Sequence, residues 1–269
     1  MSILDKYNLN KVIEINGKTV FGNNVCTIMA GPCACETRDQ VMFTAEKLRE
    51  MGITIFRAGT FKPRTSYGTF MGAREEGLKW LDEVRSQFGM LIITETSDSE
   101  NVDAVCETSD IVQVGAKAMY NYSVLERAGK SGKPVLLKRH FGAPIDEMVK
   151  MSEFIAATGN KNIAYCERGI RSFERTTRFT LDLCGAEYFK HEYGMPLILD
   201  PSHSMGIAYG VPNIAKACMA MGCDGVLIEV HPNPAEALSD KDQALTIDEF
   251  RKLYSELKGI GEVIGKTVV

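Results

Sequence analysis

The sequence predicts an α/β protein: a single (β/α)8 TIM barrel preceded by a short N-terminal β-hairpin. Three observations carry this. The chain has 269 residues and is 45% hydrophobic, enough for one large core and close to the usual size of such a barrel. Eight short apolar runs, beginning near Thr27, Thr54, Leu91, Ile111, Pro134, Asn162, Leu197 and Gly225, alternate with amphipathic stretches long enough to be parallel crossovers. Each run ends in polar residues: Cys33, Arg57, Glu95, Gln113, Lys138 with Arg139, Glu167 with Arg168, Asp200 to His203, and Glu229. A strand buried between barrel interior and helices has no packing reason to end this way, whereas barrel active sites are built at the C-terminal ends of the strands. A doubly wound open sheet would use the same units and is the structural alternative. No linker, low-complexity tract or repeat divides the chain, so the expected division is an N-terminal extension over 1–26 and a catalytic barrel over 27–269.

Taken in order, residues 12–15 and 19–21 flank Asn16-Gly17, the dipeptide best suited to a tight type I′ turn, and the resulting hairpin is expected to cover one mouth of the barrel. The first helix should open with a capping box from Thr37 to Gln40, present Val41, Ala45 and Leu48 on one face, and stop at Gly52. The last should open with a second capping box, Thr246 to Glu249, followed by Phe250, Leu253 and Leu257. A formal net charge of −4 speaks against nucleic acid or an anionic membrane surface as a general partner. There is no signal-peptide core, and no apolar run reaches the roughly 18 residues a membrane span requires, so a cytoplasmic protein is expected. Eight irregularly spaced cysteines fit reduced thiols better than a disulfide framework, with Cys26, Cys106, Cys184, Cys218 and Cys223 as small buried hydrophobes.

Two constellations stand out at the strand ends. Cys33, His203, Glu229 and Asp240 supply a thiol, an imidazole and two carboxylates, a set suited to one divalent transition metal. Taken singly, each has an ordinary structural explanation, and Asp240 after Ser239 reads equally as a turn residue; their joint occurrence favours the metal. Cys35, two residues from Cys33, should point away into the packing. His231 is either a second imidazole near the metal or part of a proline-shaped turn. The second constellation follows the second strand, where Arg57, Lys62 and Arg64, with the hydroxyls of Thr65 and Ser66 and a backbone shaped by Gly59 and Pro63, resemble a cradle for phosphate or carboxylate oxygens. Lys138, Arg139, Arg168 and Arg171 add cations, which suggests two anionic ligands, at least one bearing two anionic groups.

The stretches AGPCA (30–34), FKPRTS (61–66), LLKR (136–139), CERGIR (166–171), DPSH (200–203) and IEVHP (228–232) together resemble the 3-deoxy-D-arabino-heptulosonate 7-phosphate (DAHP) synthase family, more narrowly its Iβ group, over about residues 27–250. That group shares its barrel with 3-deoxy-D-manno-octulosonate 8-phosphate synthase. The resemblance implies metal-dependent condensation of phosphoenolpyruvate with erythrose 4-phosphate, releasing phosphate, as the first step of the shikimate pathway. Position by position, it makes Cys33, His203, Glu229 and Asp240 the ligands of one divalent ion (Mn, Fe, Co or Zn). Arg57, Lys62, Lys138 and Arg168 would hold phosphoenolpyruvate, and Pro63, Arg64, Thr65 and Ser66 the aldose phosphate. Gln113, Ala116 and Lys117 join the substrate-binding positions, and Lys62 is the expected proton donor, with Cys33 and His203 catalytic through the metal. A homo-oligomer, tetramer or dimer, is also implied.

Two departures from the family pattern bear on the aldehyde. Gly115-Ala116-Lys117 stands where the family usually has Gly-Ala-Arg, exchanging a bidentate guanidinium for a point charge. His140 and Phe141 follow LLKR where a glycine is common, which would narrow or reshape the mouth. Lys62, set among other cations, is expected to have a lowered pKa. The family's feedback domains would lie outside the barrel, and with about 26 residues before the first barrel strand no control by aromatic amino acids is expected. The rivals are a five-carbon aldose phosphate as substrate, a distant sialic acid synthase, a non-catalytic sugar-phosphate sensor and an unrelated metallohydrolase.

Overall fold

The computed structural model describes residues 3–62 and 68–269; the expected cradle residues Pro63, Arg64, Thr65 and Ser66 lie outside them. In chain order the elements are α1 (Ile3–Tyr7), β1 (Ile13–Ile15), β2 (Lys18–Phe21), β3 (Val25–Gly31), α2 (Arg38–Glu50), β4 (Ile55–Arg57), α3 (Arg74–Phe88), β5 (Leu91–Thr96), α4 (Val102–Thr108) and β6 (Ile111–Val114). They continue with α5 (Tyr122–Lys130), β7 (Val135–Lys138), α6 (Ile145–Ala156), β8 (Ile163–Glu167), α7 (Leu183–Tyr193), β9 (Leu197–Leu199), α8 (Pro201–Met205), α9 (Val211–Ala220), β10 (Gly225–Glu229), α10 (Ile247–Ile264) and β11 (Thr267–Val268). Strands β3 to β10 pair in parallel and in sequence order, and β10 returns to β3 in the register Gly225↔Thr27 to Glu229↔Gly31. The sheet is therefore a closed eight-stranded barrel with helices between its strands, as expected. Among the described residues no helix is long and apolar enough to cross a membrane.

The hairpin forms at the expected dipeptide, with φ of 52° at Asn16 and 72° at Gly17, the positive pair that a type I′ turn needs. Ile13, Val20 and Phe21 pack into the barrel on Met29, Ile55, Ile93, Ile111, Leu136, Ile198 and Leu227. Burying a side chain such as Phe21 contributes roughly 1.5–3 kcal/mol, so the plug stabilises the mouth opposite the polar strand ends. The outward-facing residues of the strands, such as Ile28, Phe56 and Ile92, pack against Val41, Leu48 and Leu81 of the helices in a second, larger core. Strand β3 gains a further partner, since Thr267 and Val268 of β11 pair with Val25 and Cys26.

Local signals were met with two corrections. Thr246 and Glu249 form the full capping box on α10. On α2, however, the Thr37 hydroxyl accepts from the Gln40 amide while the Gln40 side chain turns elsewhere, accepting from Glu36 N–H at 3.2 Å and donating to the Ala34 carbonyl at 3.2 Å; half of the expected box is missing because Gln40 braces the preceding loop instead. All eight cysteines are free, but Cys184 is exposed at the start of α7, not buried. Cys35 is buried in the outer core, away from Cys33, as expected.

Candidate active site and metal centre

Side chains alternate across a strand, and this sorts the polar strand ends. The residues two positions beyond the inward-facing Ile55, Ile93, Ile111, Leu136, Cys166, Ile198 and Leu227 are Arg57, Glu95, Gln113, Lys138, Arg168, Asp200 and Glu229. All seven are placed to rise from the barrel floor. Arg139 and Glu167 fall on the other parity. Arg139, which the sequence grouped with the site cations, turns instead to the helix side, where its Nη1 donates to Glu167 at 2.8 Å and to Asp182 at 2.9 Å. At Gly31 the chain needs glycine: φ is +149°, and a Cβ there would stand 2.1 Å from the Arg57 carbonyl oxygen.

The four candidate metal ligands come together. One ligand atom from each of Cys33, His203, Glu229 and Asp240 can be chosen so that all lie within 4.8 Å of one another. His203 is carried on α8, a short helix started by Asp200, whose Oδ1 accepts from the His203 amide at 3.0 Å. Asp200 Oδ2 lies 2.7 Å from His203 Nδ1 and accepts from Lys138 Nζ at 2.6 Å, which turns Nε2 toward Glu229 Oε1, 3.3 Å away. Glu229 is fully buried, accepting from Arg57 at 3.0 Å and from Gln243 at 2.6 Å. Cys33 Sγ has Lys62 Nζ at 3.0 Å, Ser239 Oγ at 3.1 Å and Asp240 Oδ2 at 3.2 Å. Asp200, Arg178, Ser239 and Gln243 were not assigned these roles from sequence; Arg178, which contacts both Asp240 and Gln243, lies in a loop whose pattern carries no periodic signal.

The charges at the cluster are strongly biased. Burial, then the Glu229 carboxylate, pushes the Cys33 thiol up to about 12. Burial lowers His203 below the usual imidazole value even against the pull of Asp200 and Glu229. For Glu229 burial acts upward, but His203 and Arg57 outweigh it and the carboxyl is held down; Asp240 is likewise held down by Arg178 and His203 against burial. Lys62 departs from expectation. Burial does push its ammonium down, but Cys33, Glu95 and Glu229 more than offset that, so its pKa is raised. Its neighbours are mainly anions, not the cations its sequence context suggested.

Beside the cluster is a cavity of about 260 Å³ that reaches Lys62, Glu95, Ala116, Lys117, Lys138 and Arg168 as well as His203 and Asp240. Arg168 is the most telling of these. Its guanidinium lies 4.3 Å over the Phe179 ring, and its Nε and Nη1 are buried with no hydrogen-bond partner among the described residues, a costly arrangement that an anionic ligand would relieve. Gln113 donates to Glu95 at 2.6 Å and so reaches the cavity through that carboxylate. The His140-Phe141 departure builds an aromatic wall: Phe141 lines the cavity, stacks on Phe179 at 5.2 Å and lies 4.3 Å beneath Arg171, while His140 packs between Tyr120 and Phe141.

The chain is similar to known proteins over most of its length. The family described as the DAHP synthetase I family matches residues 10–265. The phospho-2-dehydro-3-deoxyheptonate aldolase of Thermotoga maritima is 42% identical over 257 residues, 96% of this chain and 76% of that one. A 2-dehydro-3-deoxyphosphooctonate aldolase of Magnetococcus marinus is 34% identical over 263 residues, covering 90% of each chain. Among solved structures, the crystal structure of the Thermotoga maritima DAHP synthase superposes with a TM-score of 0.94 at 39% identity, over 99% of this chain and 78% of that chain. A match of this extent, on a barrel whose strand ends carry these side chains, places the chain in the DAHP synthetase I family.

Proposed function

We propose that the chain condenses phosphoenolpyruvate with D-erythrose 4-phosphate and water to give DAHP and inorganic phosphate, the first step of the shikimate pathway, and that residues 27–269 form the catalytic barrel. The observation that carries this reading is the cavity lined by Lys138 and by Arg168, whose buried Nε and Nη1 have no partner among the described residues, and bordered by His203 and Asp240 of the convergent thiol, imidazole and carboxylate set. That donor set fits a single divalent ion of the Mn, Fe, Co or Zn type, held by Cys33, His203, Glu229 and Asp240. When bound, such an ion supplies Lewis-acid polarisation of the aldehyde.

The side chains account for the rest. Lys138 and Arg168, with Arg57, present cations for the phosphate and carboxylate of phosphoenolpyruvate, and Ala116 and Lys117 border the same space. C3 of phosphoenolpyruvate forms the new bond to the aldehyde carbon, and Lys62, which keeps its proton in this anionic setting, donates it to the developing alkoxide. Water adds at C2, and the C2–O bond to phosphate then breaks, leaving the ketone. Glu95, held ionised because Lys62 and Lys138 outweigh its burial, is placed to take the proton from that water. Pro63, Arg64, Thr65 and Ser66 are assigned to the aldose phosphate, and the chain is taken to work as a homo-oligomer, tetramer or dimer.

A second reading, condensation with arabinose 5-phosphate, has support in the relative from Magnetococcus marinus, whose name specifies the octonate product. An aldehyde panel assayed with phosphoenolpyruvate and a divalent metal, following phosphate release, tests both. Release with erythrose 4-phosphate that is abolished by a chelator and restored by metal is expected. Release with no aldose phosphate in the panel would overturn the assignment.

A further inference from the structure

Asp240 lies 11 residues past the end of β10, whereas Cys33 is two residues past β3 and His203 and Glu229 are on α8 and β10. It sits in the connection between β10 and α10 with a φ of 51°, a left-handed conformation that costs a non-glycine residue roughly 1 kcal/mol or more and persists only where the surroundings impose it. The Leu238 side chain beside it is 57% exposed, so apolar packing of that residue does not hold the loop down. Hydrogen bonds do. The Asp240 carbonyl accepts from Gln243 N–H at 3.2 Å, and on the other side Leu238 N–H donates to Glu36 Oε1 at 2.8 Å.

Glu36 is itself fixed. It lies three residues after Cys33, and its backbone N–H is held by Gln40. Its Oε2 stands 3.5 Å from Nε2 of His231, and each side chain is only 7% exposed. His231 Nδ1 accepts from Asn233 N–H at 3.1 Å, which leaves Nε2 as the nitrogen facing Glu36; among the described residues this buried nitrogen makes no hydrogen bond, and the Glu36 carboxylate at 3.5 Å is its polar neighbour. The His231 backbone is tied to Leu245 by a 2.9 Å bond. Neither side chain borders the cavity.

We infer that Glu36 and His231 are positioning residues that clasp the 238–240 loop to the Cys33 loop and so set Asp240 and Ser239 against Cys33. The clasp joins the segments that follow β3 and β10, the two strands at which the barrel closes. It rests on the metal reading above for its consequence, and on the hydrogen bond from Leu238 for its geometry. Supporting groups of this kind alter metal affinity by roughly 10- to 100-fold when removed.

The test compares Glu36→Ala, Glu36→Gln and His231→Ala in the full chain by two readouts: Zn²⁺ affinity in competition with a chromogenic chelator, and the rate of Cys33 alkylation in metal-free protein, mapped by peptide mass. Glu36→Ala is expected to weaken Zn²⁺ binding by about tenfold or more and to speed alkylation of Cys33, as the loop leaves the thiol. Glu36→Gln keeps an oxygen for Leu238 N–H and should stay near wild type, with His231→Ala in between. Should Glu36→Ala fail to fold, Leu238→Pro removes the same bond from the exposed side; Ala237, at φ −59° and ψ 133°, already has a backbone that tolerates a following proline. Affinity and alkylation unchanged in Glu36→Ala, or equal losses in the Ala and Gln variants, would overturn the clasp. If the wild-type chain binds no Zn²⁺ that Cys33→Ser abolishes, the metal reading fails, and the alkylation readout still decides the clasp.

Discussion

Metal uptake by this chain is expected to expel about one proton, and the proton should come from Cys33. At pH 7 and above the other three ligands have none to give: Glu229 and Asp240 are held below the usual carboxyl values and His203 below the usual imidazole value. The Cys33 thiol, pushed up to about 12 by burial and Glu229, is still protonated there, yet only the thiolate ligates. Between pH 7 and 8 the apparent affinity should therefore rise about tenfold, or ~1.4 kcal/mol. Five pH units separate neutrality from the thiol's own titration, so on the order of 7 kcal/mol of intrinsic affinity is offset by deprotonation at pH 7. Calorimetric Zn²⁺ titrations at fixed pH in buffers of different protonation enthalpy give the proton count directly. The Cys33→Ser variant, whose hydroxyl stays neutral, should bind more weakly and with no such proton. A flat pH dependence in the wild type, or an undiminished proton count in Cys33→Ser, would show that the thiol does not ligate as its surroundings require.

Three further outcomes are expected. Erythrose 4-phosphate should be preferred over arabinose 5-phosphate by about tenfold or more in kcat/KM, ~1.4 kcal/mol; equal use of the two sugars in a phosphate-release assay contradicts the four-carbon assignment. Arg168→Lys should raise KM for phosphoenolpyruvate by about tenfold while leaving KM for the aldose phosphate nearly unchanged, because it removes a planar fork stacked on Phe179; an equal rise in both constants sinks this role. Arg139→Met should cost roughly 3–5 kcal/mol in denaturant unfolding, since it strands buried Glu167 without its partner, with little change in KM of the folded enzyme; a large KM effect at unchanged stability would place Arg139 on the wrong side of the strand.

The barrel was legible because buried parallel strands read as nearly continuous apolar runs. Seven of the eight expected starts fall within one residue of the observed ones, and four of these, Leu91, Ile111, Leu197 and Gly225, coincide; Thr27 is two residues late because β3 extends down to Val25 to meet β11. That pairing could not be read locally, since two residues at the chain's other end carry no periodicity and are strands only through their bonds to Val25 and Cys26. Helix α8 was hidden for a similar reason: five residues show no amphipathic pattern, and its existence depends on the Asp200 cap. Gln40 looked like half of a capping box and is one residue further in its loyalties, braced against Glu36 and Ala34, because a side chain with both a donor and an acceptor can serve two backbone groups at once.

The site was legible in its residue types and less so in its charge balance. Counting cations at strand ends pointed to two anionic ligands, but the folded chain assigns much of that charge internally. Lys138 faces Asp200, Arg57 faces Glu229, and Arg139 is withdrawn to Glu167 and Asp182. Strand alternation separates Lys138 from Arg139 and Arg168 from Glu167 without any structure, and it was the rule available to find this. What alternation cannot give is which acid each inward cation meets, since those partners come from strands and loops far apart in sequence. Lys62 shows the cost of reading charge from neighbours in sequence: beside Arg57 it looked destabilised, whereas in space Cys33, Glu95 and Glu229 keep it protonated. The guanidinium nitrogens without a partner among the described residues, Nε and Nη1 of Arg168 and Nε of Arg57, therefore carry more information about the ligand than the full count of cations. Arg57 ends β4 and Arg168 directly follows β8, on opposite sides of the barrel in strand order, and a ligand reaching both would present acceptor oxygens in more than one direction, as a molecule carrying both a carboxylate and a phosphate does.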